Sequence, residues 1–418
     1  MHELFACSTF AVAVSLSVAR PRIGPHFRFG PATAAVLGAL LLLASGTIRL
    51  PDLASAAAMM WRPLITILAI MITTAVAARA GAIDSLAGRL FARSSGEARR
   101  LFGSVFAVSF LTASVLNNDA AVLLLTPLVL ALIRRRYPAH PQLLMPFAFA
   151  VFMAAGVAPF VVSNPVNVVV ASHARLNFNG YALVMVPVAL TCSAITFLLL
   201  RAFFAKELGT SATAVVDEAP PVRTALQRQI TLLLVAVLGS YPLVAMLDNS
   251  AIWAVAVIGS VTALLLAAYG NIDIWRVLRQ GVSWEVLIFL PAMLVLALGL
   301  RNVGLVDWLA SWYADADVAR IGGTAALGSA LLNNHPMALI NALALEARPG
   351  AGQREFLAAL IGGDLGPRLL PIGSLAGLIW LESCRRLGVH IALRQFVRIG
   401  AAVTVPALIA SLALLARL

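Results

Sequence analysis

The chain has 418 residues, 61% of them hydrophobic and 11% charged, with a formal net charge of +12. Soluble globular proteins carry about 25% charged residues, so this composition excludes a soluble globular fold and points to an integral membrane protein. Apolar runs of roughly 17 to 25 residues make it helical, and the lack of sustained ten-residue apolar/polar alternation excludes a barrel.

The first runs fall at about residues 3–19, 31–50, 58–80, 101–133, 142–172 and 181–204. The start, Met-His-Glu-Leu, lacks the positive segment of a signal peptide, so 3–19 is expected to be a retained span. Roughly 20 residues cross a bilayer as a helix, and the run 101–133 is much longer, with Asn117, Asn118 and Asp119 at its middle. A re-entrant hairpin that turns at this triplet is expected. The run 142–172 is interrupted by Ser163-Asn-Pro-Val-Asn167, where proline removes a backbone donor and breaks the helix.

A polar stretch, 206–228, separates the halves. The order then repeats: 229–247, 250–270, 282–303, a hairpin at 320–346 with Asn333, Asn334 and His335 at its tip, a broken run at 354–385 and a last span at 397–416. The second break is Gly362-Gly-Asp-Leu-Gly-Pro-Arg-Leu-Leu-Pro-Ile-Gly-Ser374. The expected fold is an all-α integral membrane protein of two inverted repeats, each five spanning helices plus one re-entrant hairpin, with broken helices at the midplane. Residues 1–205 form the first repeat, 206–228 a cytoplasmic linker and 229–418 the second repeat. Five crossings per half invert the second half relative to the first.

Basic residues follow this topology. Arg20, Arg22, Arg28, Arg134, Arg135, Arg136, Arg385 and Arg386 fall on one face with most of the others, whereas the opposite face holds few, such as Arg49, Arg175 and Arg348. Arginine-rich loops face the cytoplasm, which puts both termini on the outer side. In this setting the positive charge sets topology and does not mark a nucleic-acid partner. The single lysine, Lys206, lies in Phe-Ala-Lys-Glu-Leu, without the glycine-rich turn of a Walker phosphate loop, so ATP hydrolysis by that route is excluded.

Polar groups at membrane depth are costly unless they line a cavity, and mark candidate functional sites. Two tips and two breaks, one pair from each half, would form a four-sided substrate site. Its candidates are Asn117, Asn118, Ser163, Asn164, Asn167, Asn333, Asn334, Gly373 and Ser374. Side-chain amides both donate and accept, which suits a small hydroxylated neutral solute, whereas a dicarboxylate calls for bidentate arginine. Arg368, the one basic residue near a break, is expected to point toward an interface or an acidic neighbour.

Asp119, Asp364 and His335 are candidates for carrying a proton. The alternatives are a helix N-cap for Asp119, an ion pair with Arg368 four residues on for Asp364, and a neutral turn histidine for His335. Cys7, Cys192 and Cys384 read as small hydrophobes in helices, with a soft-metal thiolate trio as the alternative. Glu285 and Glu382 are expected at solvated helix ends, and Trp61, Trp284, Trp308 and Trp312 as interfacial anchors.

These stretches resemble the arsenical efflux permeases, the ArsB-type arsenite pumps of the ion-transporter superfamily. The resemblance covers nearly the whole chain. It is densest at Asn118-Asp119 with Leu125-Thr-Pro127, at Val162 to Asn167, at Ser283-Trp-Glu-Val-Leu-Ile-Phe289 with Gly299 to Leu305, at Asn333-Asn334, and at Gly363 to Pro367 with Pro371 to Leu375. It implies export of arsenite and antimonite in exchange for protons across a prokaryotic inner membrane, with elevator-like movement and no cofactor, alone or with a separate ArsA-type ATPase. His335 departs from the family pattern, which has an apolar residue there, and bears on the proton route. Two rival readings are a sodium-coupled anion symporter or Na+/H+ antiporter of the same superfamily, and an intramembrane aspartyl protease. The latter is disfavoured because Ile361-Gly-Gly-Asp364 lacks a Gly-x-Gly-Asp pattern.

Overall fold

A computed structural model describes all residues except 1, 24–26, 86–87, 89–96, 117, 210–221 and 249–250. The first half begins with α1 (His2–Ala19), a two-residue antiparallel pairing of β1 (Arg22–Ile23) with β2 (Phe27–Arg28), α2 (Pro31–Ala44) and α3 (Leu50–Arg79). The helix α3 starts eight residues before the apolar run because Pro51 suits a first turn and the Asp52 carboxylate accepts the Arg49 N–H at 2.8 Å. Next come α4 (Ala98–Val115) and α5 (Asn118–Arg136), the two arms expected of the first hairpin. The broken run resolves into α6 (Leu144–Ala154) and α7 (Pro165–His173), and α8 (Phe178–Phe203) closes the half.

The second half runs through α9 (Ala225–Leu247), α10 (Ile252–Tyr269), the short surface helix α11 (Ile274–Gly281), α12 (Trp284–Asn302) and α13 (Leu305–Trp312). The second hairpin is α14 (Val318–Leu332) with α15 (Asn334–Ala347), the second broken run is α16 (Gln353–Leu365) with α17 (Leu375–Arg386), and α18 (Leu393–Arg417) is last. Among the described residues, six helices, α3, α8, α9, α10, α12 and α18, are long and apolar enough to cross a membrane. The surface helices α11 and α13 are additions to the expected plan; each has one or two buried residues and polar groups on its other face. Trp61, Trp284, Trp308 and Trp312 are all exposed, as anchors should be.

Packing between the halves is reciprocal. Helix α2 packs on α12 and α3 on α10, while α5 packs on α17 and α7 on α15; α8 and α18, the last helix of each half, pack on each other. Exchanging the two halves maps each pairing onto its counterpart.

The packing of α14 against α16 depends on glycine. A Cβ at Gly362 would collide with the Gly322 carbonyl and come within 2.9 Å of the Ala325 side chain, and one at Gly366 would collide with the Ala326 carbonyl. Gly323, one residue from Gly322, has no atom within 4 Å of such a Cβ. Gly362→Ala is therefore expected to destabilise the protein by about 1–3 kcal/mol through overpacking, whereas Gly323→Ala stays within about 0.5 kcal/mol of the parent. Thermal unfolding of the two purified variants in detergent checks this.

Candidate functional site

Asn164, Asn333 and Ser374 begin half-helices and are read first as caps. The Asn164 Oδ1 accepts the Val166 N–H at 3.2 Å ahead of Pro165, the Asn333 Oδ1 accepts the His335 N–H at 3.3 Å, and the Ser374 Oγ accepts the Gly377 N–H at 2.9 Å. Asn118 is the first residue of α5. A small cavity of about 40 Å³ is lined by Asn118, Asn164, Asn334, Asp364, Arg368 and Ser374, with apolar atoms between them. Each tip and each break thus supplies at least one polar group. The N-terminal ends of α5, α7, α15 and α17 meet there, and such ends carry unsatisfied N–H groups and partial positive charge.

Among the described side chains, one carboxylate faces these groups. Asp364, near the end of α16, is buried and accepts from the Asn164 Nδ2 at 2.8 Å, the Ala158 N–H at 3.2 Å and the Asn167 Nδ2 at 3.4 Å. All three donors belong to the broken run of the other half. The Asn167 Nδ2 also donates to the Tyr181 hydroxyl at 2.8 Å, which in turn donates to the Ala158 carbonyl at 3.0 Å, closing a ring of polar contacts. Ser163 is also buried, and its hydroxyl donates to the Ser114 carbonyl on the first hairpin.

Arg368 points to the interface between the halves, one of its two expected directions, and does not form the ion pair that was the alternative reading of Asp364. Its guanidinium crosses into the first half, where one nitrogen donates to the Met153 carbonyl and another to the Thr196 hydroxyl at 3.3 Å, with the Cys192 thiol alongside. Met153 lies in the last turn of α6, whose free carbonyls form the negative end of the helix dipole. That end offers the cation a hydrogen-bond acceptor with partial negative charge. Gly156 is required here because a Cβ would collide with the guanidinium. The Nε of Arg368 is buried and has no hydrogen-bond partner among the described residues.

Residues 20–363 match the Citrate transporter family. A relative from Escherichia coli, named arsenical pump membrane protein, is 31% identical over 99% of this chain and 98% of its own length. One of the same name from Yersinia enterocolitica is 30% identical over the same shares. The chain belongs to the arsenical pump permease family. Among solved structures, the Alcanivorax borkumensis YdaH transporter, at 16% identity, shares the fold with a TM-score of 0.60 over 100% of this chain and 97% of that one. The permease is accordingly a multi-pass plasma-membrane transporter.

Several of the remaining candidates lie off the cavity wall of the permease. His335 is buried with its ring edge-on to Phe289, at 5.9 Å between centroids, and its Nδ1 lies 3.4 Å from the Asn333 Oδ1. Gly373 is a packing position, where a Cβ would come within 2.7 Å of Pro367 and 2.9 Å of the Ser329 carbonyl. Asn117 lies outside the described residues, and Asp119 is described only as the second residue of α5. Cys7, Cys192 and Cys384 sit on α1, α8 and α17, and among the described residues no three His, Cys, Asp or Glu side chains converge to hold a metal. Glu382 is held by Arg385 and Arg386 at 2.8 and 2.9 Å, and Glu285 is 4.0 Å from Arg20.

Tyr181, the Ala158 N–H and Gly156 were not foreseen as site groups. A tyrosine four residues after Asn177 at the start of an apolar run was the available signal. The second hairpin tip is strained: Asn333 has φ +82° and ψ 146°, a region adopted almost only by glycine. Asn333→Ala keeps that strain and loses the cap, whereas glycine relaxes the backbone. The alanine variant should therefore be less stable than Asn333→Gly by about 1–3 kcal/mol. Equal melting temperatures for the two variants would contradict the assignment of strain to this residue.

Proposed function

We propose that this permease exports arsenite and antimonite from the cytoplasm in exchange for protons, with Asp364 carrying the proton at the substrate site. The observation that carries this reading is one buried carboxylate, held by three donors, on a cavity wall whose other polar groups, among the described residues, are neutral amides, a hydroxyl, helix N-termini and Arg368. Arsenous acid is largely neutral at neutral pH and carries three hydroxyls. Each hydroxyl can donate to Asp364 and accept from Asn118, Asn164, Asn334 or an N-terminal N–H. The cavity has room for a few water-sized spheres, the scale of such a solute.

Coupling follows from competition. Three donors occupy two positions on Oδ2 and one on Oδ1, which leaves one Oδ1 lone pair of the carboxylate for a proton. A substrate hydroxyl needs the same lone pair. Proton and arsenite therefore exclude each other, and a cycle in which one carries the site inward and the other outward is an exchange. Asn167 and Tyr181 act on substrate through Asp364, and His335 through the hairpin tip.

Movement is assigned to the hairpins and broken helices as one body. The cavity polar groups all come from these elements, so the site can shift across the membrane without being rebuilt. Reciprocal packing supports reading residues 1–205 and 229–418 as inverted repeats, and the arginine bias supports a cytoplasmic linker at 206–228 with both termini periplasmic. Helix N-termini and the unpartnered Arg368 Nε favour one alternative, sodium-coupled anion symport.

The test is arsenite uptake into inside-out vesicles energised by a proton gradient, without ATP or sodium. Uptake should collapse with an uncoupler and fall to background in Asp364→Asn. Asn164→Ala should weaken it by about tenfold, the loss of one hydrogen bond to a charged group. Uptake that requires sodium, or is undiminished in Asp364→Asn, would overturn the reading.

A further inference from the structure

A second, larger cavity of about 410 Å³ lies between α3, α7 and α10. Its wall is mostly apolar, formed by residues such as Val161, Val162, Val168 and Ile252, and both of its charged lining residues are arginines, Arg62 and Arg175. Arg62 and Arg175 are exposed, and among the described residues neither has an ion pair within 4 Å. Glu346, which feels the charge of Arg175 without pairing with it, is bonded to His173 at 3.3 Å.

Depth is set by aromatic residues. Trp61 and Trp253 meet edge to face with centroids 6.0 Å apart, and the Arg62 guanidinium lies 5.0 Å over the Trp61 ring. Tryptophans gather at the membrane–water interface, which places the two guanidinium groups at headgroup level and the valine wall at acyl-chain depth. A water-filled vestibule for a polar solute has no use for an apolar wall at that depth. A free inorganic anion would use the arginines and leave the rest of the cavity unfilled. A molecule with a phosphate at one end and a hydrocarbon chain at the other fits both parts.

We propose that this cavity holds one phospholipid with an anionic headgroup, its phosphate bound between Arg62 and Arg175 and one acyl chain along Val161, Val162 and Val168. The lipid would sit directly behind Ser163 and Asn164, on the outer-leaflet side.

The experiment is native mass spectrometry of the full-length purified protein titrated with phosphatidylglycerol or phosphatidylcholine. The parent should retain phosphatidylglycerol preferentially. The Arg62→Gln/Arg175→Gln double variant should lose roughly 30-fold in affinity for it, two basic contacts each contributing about a factor of five. Arg417→Gln, an exposed arginine elsewhere, should behave as the parent. If the double variant does not fold, Ser172→Trp, which fills the mouth and keeps both charges, should displace the lipid as well. Equal retention of both lipids by the parent, unchanged retention in the variants, or displacement of phosphatidylglycerol by soluble glycerol phosphate would each overturn the proposal. The last of these would identify a free-anion site.

Discussion

The hydrogen bonds between Asp364 and the broken run of the other half are the contacts on which the rest of the arrangement depends. A buried carboxylate without partners costs several kcal/mol, and removing one partner of a charged hydrogen bond costs about 1.5–3 kcal/mol. Asp364 escapes that cost only because α6 and α7 are interrupted. The interruption frees the Ala158 N–H, and Pro165 starts a new helix whose cap, Asn164, turns its amide nitrogen to the acid. Tyr181 then fixes Asn167 and the Ala158 carbonyl from α8. The same contacts that satisfy the charge hold the halves together.

Arg368 is the second charged residue that lines the cavity. It comes from the second half and satisfies the carbonyl end of α6 in the first. The second half therefore sends two charged residues to meet groups exposed by the first half's broken helix. Asp364 meets an N–H donor and Arg368 meets a carbonyl. The two charges interact electrostatically without forming an ion pair, and the cavity they line also holds neutral amides and helix N-termini.

The fold was largely legible in the sequence because its signals are lengths and interruptions. Runs of about thirty residues with an Asn-Asn tip or an Asn-Pro break resolved into paired short helices close to the expected bounds, as with 320–346 against Val318–Leu332 and Asn334–Ala347. The surface helices α11 and α13 were missed because an eight-residue amphipathic segment gives little hydropathy signal. At the site, Asn118, Asn164, Asn334, Asp364 and Ser374 share one cavity as spacing suggested. Sequence could not show where Arg368 points, because an i,i+4 separation on a helix places two residues on one face only while the helix continues. Here α16 ends at Leu365, and the side chain turns to another element. Asn167 and Ser163 read as ligands from sequence because they are polar at membrane depth. In the fold one positions Asp364 and the other ties the break to Ser114.

The central claim is that arsenite and a proton compete for Asp364. Proton release on arsenite binding, measured with the purified permease in weakly buffered detergent solution over a range of pH, tests it most directly. The account predicts release approaching one proton per arsenite bound at acidic pH, fading as pH rises and Asp364 is already ionised, and none from Asp364→Asn. Binding of arsenite with no proton release at any pH would contradict it.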